Sequence, residues 1–338
     1  MSAHAPPRRV VVYGLGGTIA MASDGGAGVV PALSAAQLVE AVPGLAEAGI
    51  EVEVVDFRRL PSASLGFADL LELAGRIGGR LARGGVDGVV VVQGTDTLEE
   101  TAYLLDLFHT ASVPIVVTGA MRNPTLAGAD GPANLLAAVR TAAHPASRGR
   151  GVLVVLADQI HAAGRVRKTH TTSVCAFASP DSGPLGLLTE GVPGFLWGPV
   201  DRFALDLAAV RARPSVPLVT VVLGDDGLLL RGLAGRADGL VVAGAGGGHV
   251  PRGLVSVLGD LAGRMPVVLA SRVGGGPVLG ATYAYPGSER DLLERGLVSA
   301  GFLDPFKARV LLWALLACGA DRDAVVSAFR VAGGSARG

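Results

Sequence analysis

Thr95, Asp96 and Lys168 are the residues with which this sequence is best equipped to do chemistry. The run GVVVV (88–92) stops abruptly in QGTDTLEE (93–100), two hydroxyls and a carboxylate at the end of an apolar strand. Ligands of open α/β sheets gather beyond the carboxyl ends of strands, so these groups stand where such proteins keep their chemistry. Thr97 with Glu100 matches a capping box, so Thr97 or Asp96 is expected to hold the following helix start, which leaves Thr95 over. A hydroxyl, an amine to take its proton and a carboxylate to orient or charge the amine make an activated nucleophile with lysine as base. Free lysine titrates near ~10.4, so that role needs burial or a cationic neighbour, and Arg165 and Arg167 flank Lys168.

Lysine is scarce here. Of 29 basic residues only Lys168 and Lys307 are lysines, and arginine replaces lysine on a solvated surface but cannot deliver a neutral amine. Lys307, in DPFKARVLLWALLACG, reads as an exposed ion-pairing residue near a helix start.

The other strand ends carry GLGGTIA (14–20), LPSAS (60–64) and TGAMR (118–122), so Thr18 and Ser62 join Thr95 as hydroxyls at sheet edges. Capping alone would account for Thr18 or Thr95 singly. Gly14 to Thr18 looks like a dinucleotide loop, but position 19 is Ile19, and only Asp56 comes near an acidic fingerprint; the Walker pattern is absent. His161 and His170 bracket Lys168 without the spacing of a metal pair. His249, in GAGGGHV, reads as a loop histidine.

Composition narrows the class. The 338 residues are 50% hydrophobic, and 29 basic residues balance 29 acidic ones. That leaves no electrostatic footprint for nucleic acid or an anionic membrane. No segment is long enough to span a bilayer, and the N-terminal apolar run is too short for a secretory signal. Cys175 and Cys318 read as buried thiols. A soluble, cytoplasmic protein is expected.

The elements that must position these groups follow from short Val/Ile/Leu runs alternating with amphipathic segments, the pattern of a parallel sheet with crossover helices. Strands are expected at 10–13, 51–56, 88–93, 114–118 and 151–157, with helices at 34–41, 66–83, 97–110 and 131–143. A second series starts near Pro217 and ends in a helix over 307–319. The fold class is therefore α/β with two domains. A larger N-terminal catalytic domain (1–195), with a mostly parallel sheet and flanking helices, precedes a linker (196–216) and a smaller Rossmann-like α/β domain (217–338).

Several of these stretches occur together elsewhere. GGTIA (16–20), GTDTLEETA (94–102), VVTGAMR (116–122), ADGPANLLAAV (129–139), KTHTTSVCAFASPDSGPLG (168–186), SRVGGG (271–276) and GFLDPFKARVLLWALL (301–316) follow one another in the order and spacing of the bacterial-type L-asparaginase/glutaminase family. The chain resembles that family over nearly its whole length. The resemblance implies hydrolysis of L-asparagine to L-aspartate and ammonia through a threonine nucleophile and an acyl-enzyme. Thr18 matches the nucleophile, and Thr95, Asp96 and Lys168 match a second triad that activates the attacking group or water. Ser62 matches the serine that holds the substrate α-carboxylate, Asp96 also the carboxylate that takes the α-ammonium. Ala120 matches the residue whose carbonyl meets the substrate amide. Glu289 matches a glutamate that reaches a neighbouring subunit's substrate, so a homodimer or homotetramer with shared sites is implied, without metal or organic cofactor.

The sequence also departs from the family. Leu15 stands where threonine is frequent, and Gly247 or His249 where an asparagine stands. The lid segment after the nucleophile (21–34) contains no tyrosine. Of four tyrosines in the chain, Tyr285, with Tyr283 as the alternative, is assigned the missing catalytic phenol. These departures leave other small amides open as substrates (glutamine, D-asparagine, a modified amide), and a non-catalytic small-molecule binder as the competing class.

Overall fold

A computed structural model describes residues 7–334 apart from 18, 20, 24–28, 32–33 and 200. The chain divides into two compact units, Met1–Asp201 and Arg202–Gly338.

Unit 1 begins with β1 (Arg8–Gly14), a small hairpin of β2 (Met21–Ser23) and β3 (Val29–Pro31), and helix α1 (Ala35–Glu40). Then come β4 (Ile50–Asp56), α2 (Phe67–Ala82), β5 (Gly88–Val92), α3 (Leu98–Leu107), β6 (Ile115–Thr118), α4 (Gly131–Ala143) and β7 (Val152–Leu156). It closes with β8 (Gln159–Ala162), a hairpin of β9 (Arg167–Lys168) and β10 (Phe177–Ala178), then β11 (Gly186–Thr189) and β12 (Val192–Phe195). Eight strands form one sheet in the order β12-β11-β8-β7-β6-β5-β1-β4. The five from β7 to β4 run parallel, and both faces of β5, β6 and β7 are buried, which is why those strands are unbroken apolar runs. Val10, Val12, Val90, Val92 and Val116 pack in one core with Leu135, Ala138, Val139 and Ala142 of α4. The small residues of α4 let it lie close: a Cβ on Gly88 would stand 2.1 Å from the Ala142 carbonyl oxygen.

Past β7 the sheet turns antiparallel. Leu156 pairs with Gln159 across a two-residue turn in which Ala157 and Asp158 have φ of 49° and 59°. Glu190 and Gly191 make the same kind of turn between β11 and β12. Positive φ at both central residues is the hairpin geometry whose twist suits the strands. Alanine and glutamate seldom announce it, so the strand read as running to Ala157 stops one residue early and doubles back.

Unit 2 has a four-stranded parallel sheet of β13 (Leu218–Thr220), β14 (Leu240–Gly244), β15 (Val267–Ser271) and β16 (Val298–Ser299), in that order. Its helices are α5 (Val255–Ala262), α6 (Glu289–Glu294), α7 (Pro305–Ala317) and α8 (Arg322–Ala332).

Within the stretch expected as a linker (196–216), residues 202–216 fall in unit 2: Asp206 caps a 3₁₀ turn over Leu207–Ala209, and the N–H groups of Arg211 and Ala212 both donate to the Ala317 carbonyl. Two expectations are corrected. Lys307 is fully buried rather than exposed, because α7 is apolar nearly all round; its ammonium meets Asp304 Oδ2 at 2.7 Å. Cys175 is exposed in the loop joining β9 to β10, and Cys318, half-buried, caps the end of α7.

Candidate active site

Lys168 sits on β9 opposite Phe177 of β10, in a two-stranded hairpin beside the large sheet. Its ammonium donates to Thr95 Oγ1 at 2.9 Å and to Asp96 Oδ1 at 2.8 Å. Thr95 is buried, the Lys168 side chain is 16% exposed and that of Asp96 69%. The hydroxyl, amine and carboxylate separated by more than 70 residues in sequence are thus within direct hydrogen-bonding reach.

Ser62 joins them from the other side. Its buried Oγ accepts the Asp96 N–H at 3.2 Å, and its carbonyl accepts the Thr97 hydroxyl at 2.9 Å. The capping box expected of Thr97 and Glu100 is therefore not made: α3 starts at Thr97 without a side-chain cap, because that hydroxyl ties down the Ser62 segment.

The glycine-rich loop after β1 owes its sequence to close packing. Gly16 and Gly17 have φ of 98° and 89°, and a Cβ on Gly17 would lie 2.0 Å from the Gly94 nitrogen. Backbone therefore presses on backbone here, bringing residues 14–17 against the GTDT turn. Thr18 lies outside the described residues, as do 24–28 and 32–33 of the segment read as a lid; its two strands pair as Met21↔Pro31 to Ser23↔Val29. Ala120 is buried in the turn after β6. The Asp130 carboxylate accepts the N–H groups of Met121 and Arg122 at 3.0 and 2.8 Å, and the Asn134 amide donates to the Gly119 carbonyl at 3.0 Å. A Cβ at Gly119 would come within 3.2 Å of Thr95 Cγ2, so this turn adjoins Thr95.

Two supports of Lys168 escape the sequence. Glu99, buried in the first turn of α3, accepts the Lys168 backbone N–H at 3.4 Å. His161 on β8 is fully buried, with Nδ1 2.9 Å from Ser179 Oγ just beyond β10, so it braces the far end of the Lys168 hairpin. Its Nε2 has no partner among the described residues, and burial pulls its pKa down to about 4. Two adjacent glutamates entering a helix hint that one must turn inward; His161 stands out in sequence only as a neighbour of Lys168, and nothing there points to Ser179.

Unit 2 has a cluster of its own. Glu289 is fully buried, with Oε1 accepting the N–H groups of Thr282 and Tyr283 at 3.0 and 2.9 Å and Oε2 3.1 Å from His249 Nε2. Burial pushes this carboxyl up, but the N–H groups of Tyr283, Glu289 itself and Thr282, with His249, outweigh it and hold the pKa below the ordinary value. The His249 ring meets those of Tyr283 and Tyr285 edge-on, at 5.0 and 5.6 Å between centroids. Glu289, read as reaching outward to a substrate, has no exposed surface with which to do so. The groups that face out are Tyr283 and Tyr285, 42% and 48% exposed.

Two family models cover most of the chain: the asparaginase N-terminal domain over residues 9–200 and the glutaminase/asparaginase C-terminal domain over 215–329. The chain belongs to the asparaginase family. It is 39% identical to a probable L-asparaginase of Deinococcus radiodurans, covering 96% of this chain and 97% of that protein. It is 36% identical to L-asparaginase 2 of Escherichia coli K12, over 90% and 87% of the two. A crystal structure of a probable cytoplasmic L-asparaginase from Campylobacter jejuni superposes with a TM-score of 0.85 at 33% identity, covering 95% of this chain and 99% of that one. As an asparaginase-family amidohydrolase, the protein has the two-unit α/β architecture expected of its sequence. Among its described residues no helix is long and apolar enough to cross a membrane, and no three His, Cys, Asp or Glu side chains are grouped to hold a metal.

Proposed function

We propose that the protein hydrolyses L-asparagine to L-aspartate and ammonia, with Thr18 as nucleophile. The observation that carries this reading is the Lys168 ammonium bridging Thr95 Oγ1 and Asp96 Oδ1 directly beside Ser62. Thr18 Oγ attacks the side-chain amide carbon, its proton passes to the leaving nitrogen, ammonia departs, and an ester to Thr18 remains. Water then attacks the ester; with Lys168 in its neutral amine form, Thr95 takes the water's proton as it passes its own to the Lys168 nitrogen, and a proton returns to Thr18 as the ester bond breaks, releasing L-aspartate.

Recognition of the substrate follows from what each group still has to offer. Ser62 Oγ already accepts the Asp96 N–H, so its own hydrogen is free to donate to an α-carboxylate. Asp96 gives one oxygen to Lys168 and keeps the other, on a largely exposed side chain, for an α-ammonium. The carbonyl of Ala120 is assigned to the amide. Tyr285, or Tyr283, supplies the phenol absent from 21–34, delivered by a second copy of the chain in a homodimer or homotetramer. Glu289 then acts by holding His249 and the Tyr283 backbone rather than by touching substrate. The outward-facing ring cluster also favours a second reading, in which a larger or modified amide is accepted beside asparagine.

The deciding experiment is ammonia release from L-asparagine, D-asparagine and L-glutamine, compared as kcat/KM. No release from any of them returns the chain to a binding role. Mixing inactive Thr18→Ala with Tyr283→Phe/Tyr285→Phe subunits tests the shared site. Partial recovery is expected, and none, in a mixture shown to exchange subunits, removes it. Normal turnover of the double tyrosine variant removes the phenol assignment.

A further inference from the structure

A cleft of about 400 Å³ opens in unit 1 between α2 and the sheet edge at β1 and β4. Glycines make room for it on the helix side: Gly75 and Gly79 line it, and a Cβ on Gly79 would meet no atom within 4 Å. Four guanidinium groups, of Arg58, Arg76, Arg80 and Arg83, line it against three carboxylates, of Glu53, Asp56 and Glu72, which leaves positive charge in excess.

The carboxylates are already engaged. Glu53 is held by Arg80 through Nε at 3.0 Å and Nη2 at 2.7 Å, and Glu72 by Arg58. Asp56 accepts the Ala35 N–H at 2.7 Å and faces Arg59 at 3.5 Å. Two of the four guanidinium groups are engaged as well, Arg80 by Glu53 and Arg58 by Asp69 and Glu72, but among the described residues Arg76 reaches only Glu72, at 3.5 Å, and Arg83 makes no hydrogen bond or ion pair. The Tyr13 hydroxyl likewise has no partner there, although its ring is buried in the floor of the cleft. Burial, and then Glu53, hold that phenol above its ordinary pKa against the pull of Arg80, Arg76 and Arg83, so it is a donor at neutral pH.

We propose that this cleft is a second, non-catalytic site for a small oxyanionic metabolite, a carboxylate or phosphate, bound by Arg76, Arg83 and the Tyr13 hydroxyl. Guanidinium forks match both oxyanions, and charge-assisted bonds of this kind are the strong ones. The cleft also touches the loops of the catalytic site. The Gly14 carbonyl, next to Tyr13, accepts the N–H groups of Phe57 and Arg58 at 2.9 and 3.0 Å, and that of Leu15 accepts the Leu60 N–H at 3.0 Å. The chain leaving β1 continues into the glycine loop of residues 14–17, and the chain leaving β4 continues to Ser62. An anion seated against Tyr13 therefore bears, through the Gly14 and Leu15 carbonyls, on both, and its occupancy alters KM for the amide; this coupling, unlike the binding, rests on the function proposed above.

The test is calorimetric titration of the full chain at low salt with sodium phosphate and with sodium citrate, sodium chloride serving as control. It is repeated on Arg76→Gln/Arg83→Gln and on Lys168→Arg. At least one of the two anions saturates a single site per chain; the double variant weakens it roughly tenfold or more, and Lys168→Arg leaves it intact. Which anion binds identifies the chemistry. Both arginines are exposed and make at most one long contact, so the variant keeps its fold, checked by its melting temperature. No saturable heat with either anion, unchanged affinity in the double variant, or loss in Lys168→Arg overturns the site. A KM for asparagine that ignores the bound anion overturns the coupling. Should the chain hydrolyse no amide, calorimetry still decides the binding.

Discussion

Protonation of His161 tests how firmly the Lys168 hairpin is held. Folded, this imidazole titrates at about 4; unfolded, it returns to its ordinary 6.5. A depressed pKa means that the unfolded chain binds the proton first, so stability is full above the unfolded value and falls as pH drops through 6.5 towards 4. A gap of one pH unit between folded and unfolded titration is worth about 1.4 kcal/mol, so the full loss is roughly 3 kcal/mol, of which roughly 2 kcal/mol is gone between about pH 7 and about pH 5. His161→Gln keeps a hydrogen-bonding group for Ser179 but cannot titrate. Guanidinium unfolding of both proteins at about pH 7, 6 and 5, at several protein concentrations, isolates the histidine as the difference between them. That difference is expected to move by roughly 2 kcal/mol in favour of the variant on acidification. Parallel stability curves would refute the buried, neutral imidazole and with it the brace on β9 and β10.

Lys168→Arg is expected to fold with an unchanged unfolding midpoint and to lose about 10²–10⁴-fold in kcat, measured by ammonia release, since a guanidinium cannot serve as the base. Thr97→Val frees the Ser62 carbonyl at a cost of about 1 kcal/mol and should raise KM about fivefold with little change in kcat, as expected of uniform binding. Gly17→Ala puts a Cβ against the Gly94 backbone and should abolish turnover, while circular dichroism shows the rest of the fold intact. Lys307→Met leaves Asp304 without its buried ammonium and should lower stability by about 3 kcal/mol in guanidinium unfolding.

What the sequence made legible was whatever depends on strand ends and local period. The parallel strands and four unit 1 helices fall within a few residues of their expected places, and Thr95, Asp96, Lys168 and Ser62 come together because each ends or borders a strand. What escaped depends on partners far along the chain. The Thr97 hydroxyl could cap its own helix or bind the Ser62 carbonyl, and only the fold decides between them. Lys307 looks like any surface lysine until its side of α7 is seen to be buried. Glu289 carries no mark in sequence that its carboxylate is spent on Thr282, Tyr283 and His249.

The placing of the two lysines reaches into how the protein can be handled. One ammonium is wholly enclosed and the other is 16% exposed, between Thr95 and Asp96 in the candidate site. Beyond the chain's α-amino group, reagents directed at primary amines therefore find almost no surface to attach to. Polymer conjugation, coupling to an activated support and lysine cross-linking all depend on such handles. Of the two lysines, the one with any exposed surface is the one proposed above as the base. Attachment through the exposed Cys175 thiol or through carboxylates avoids that coincidence.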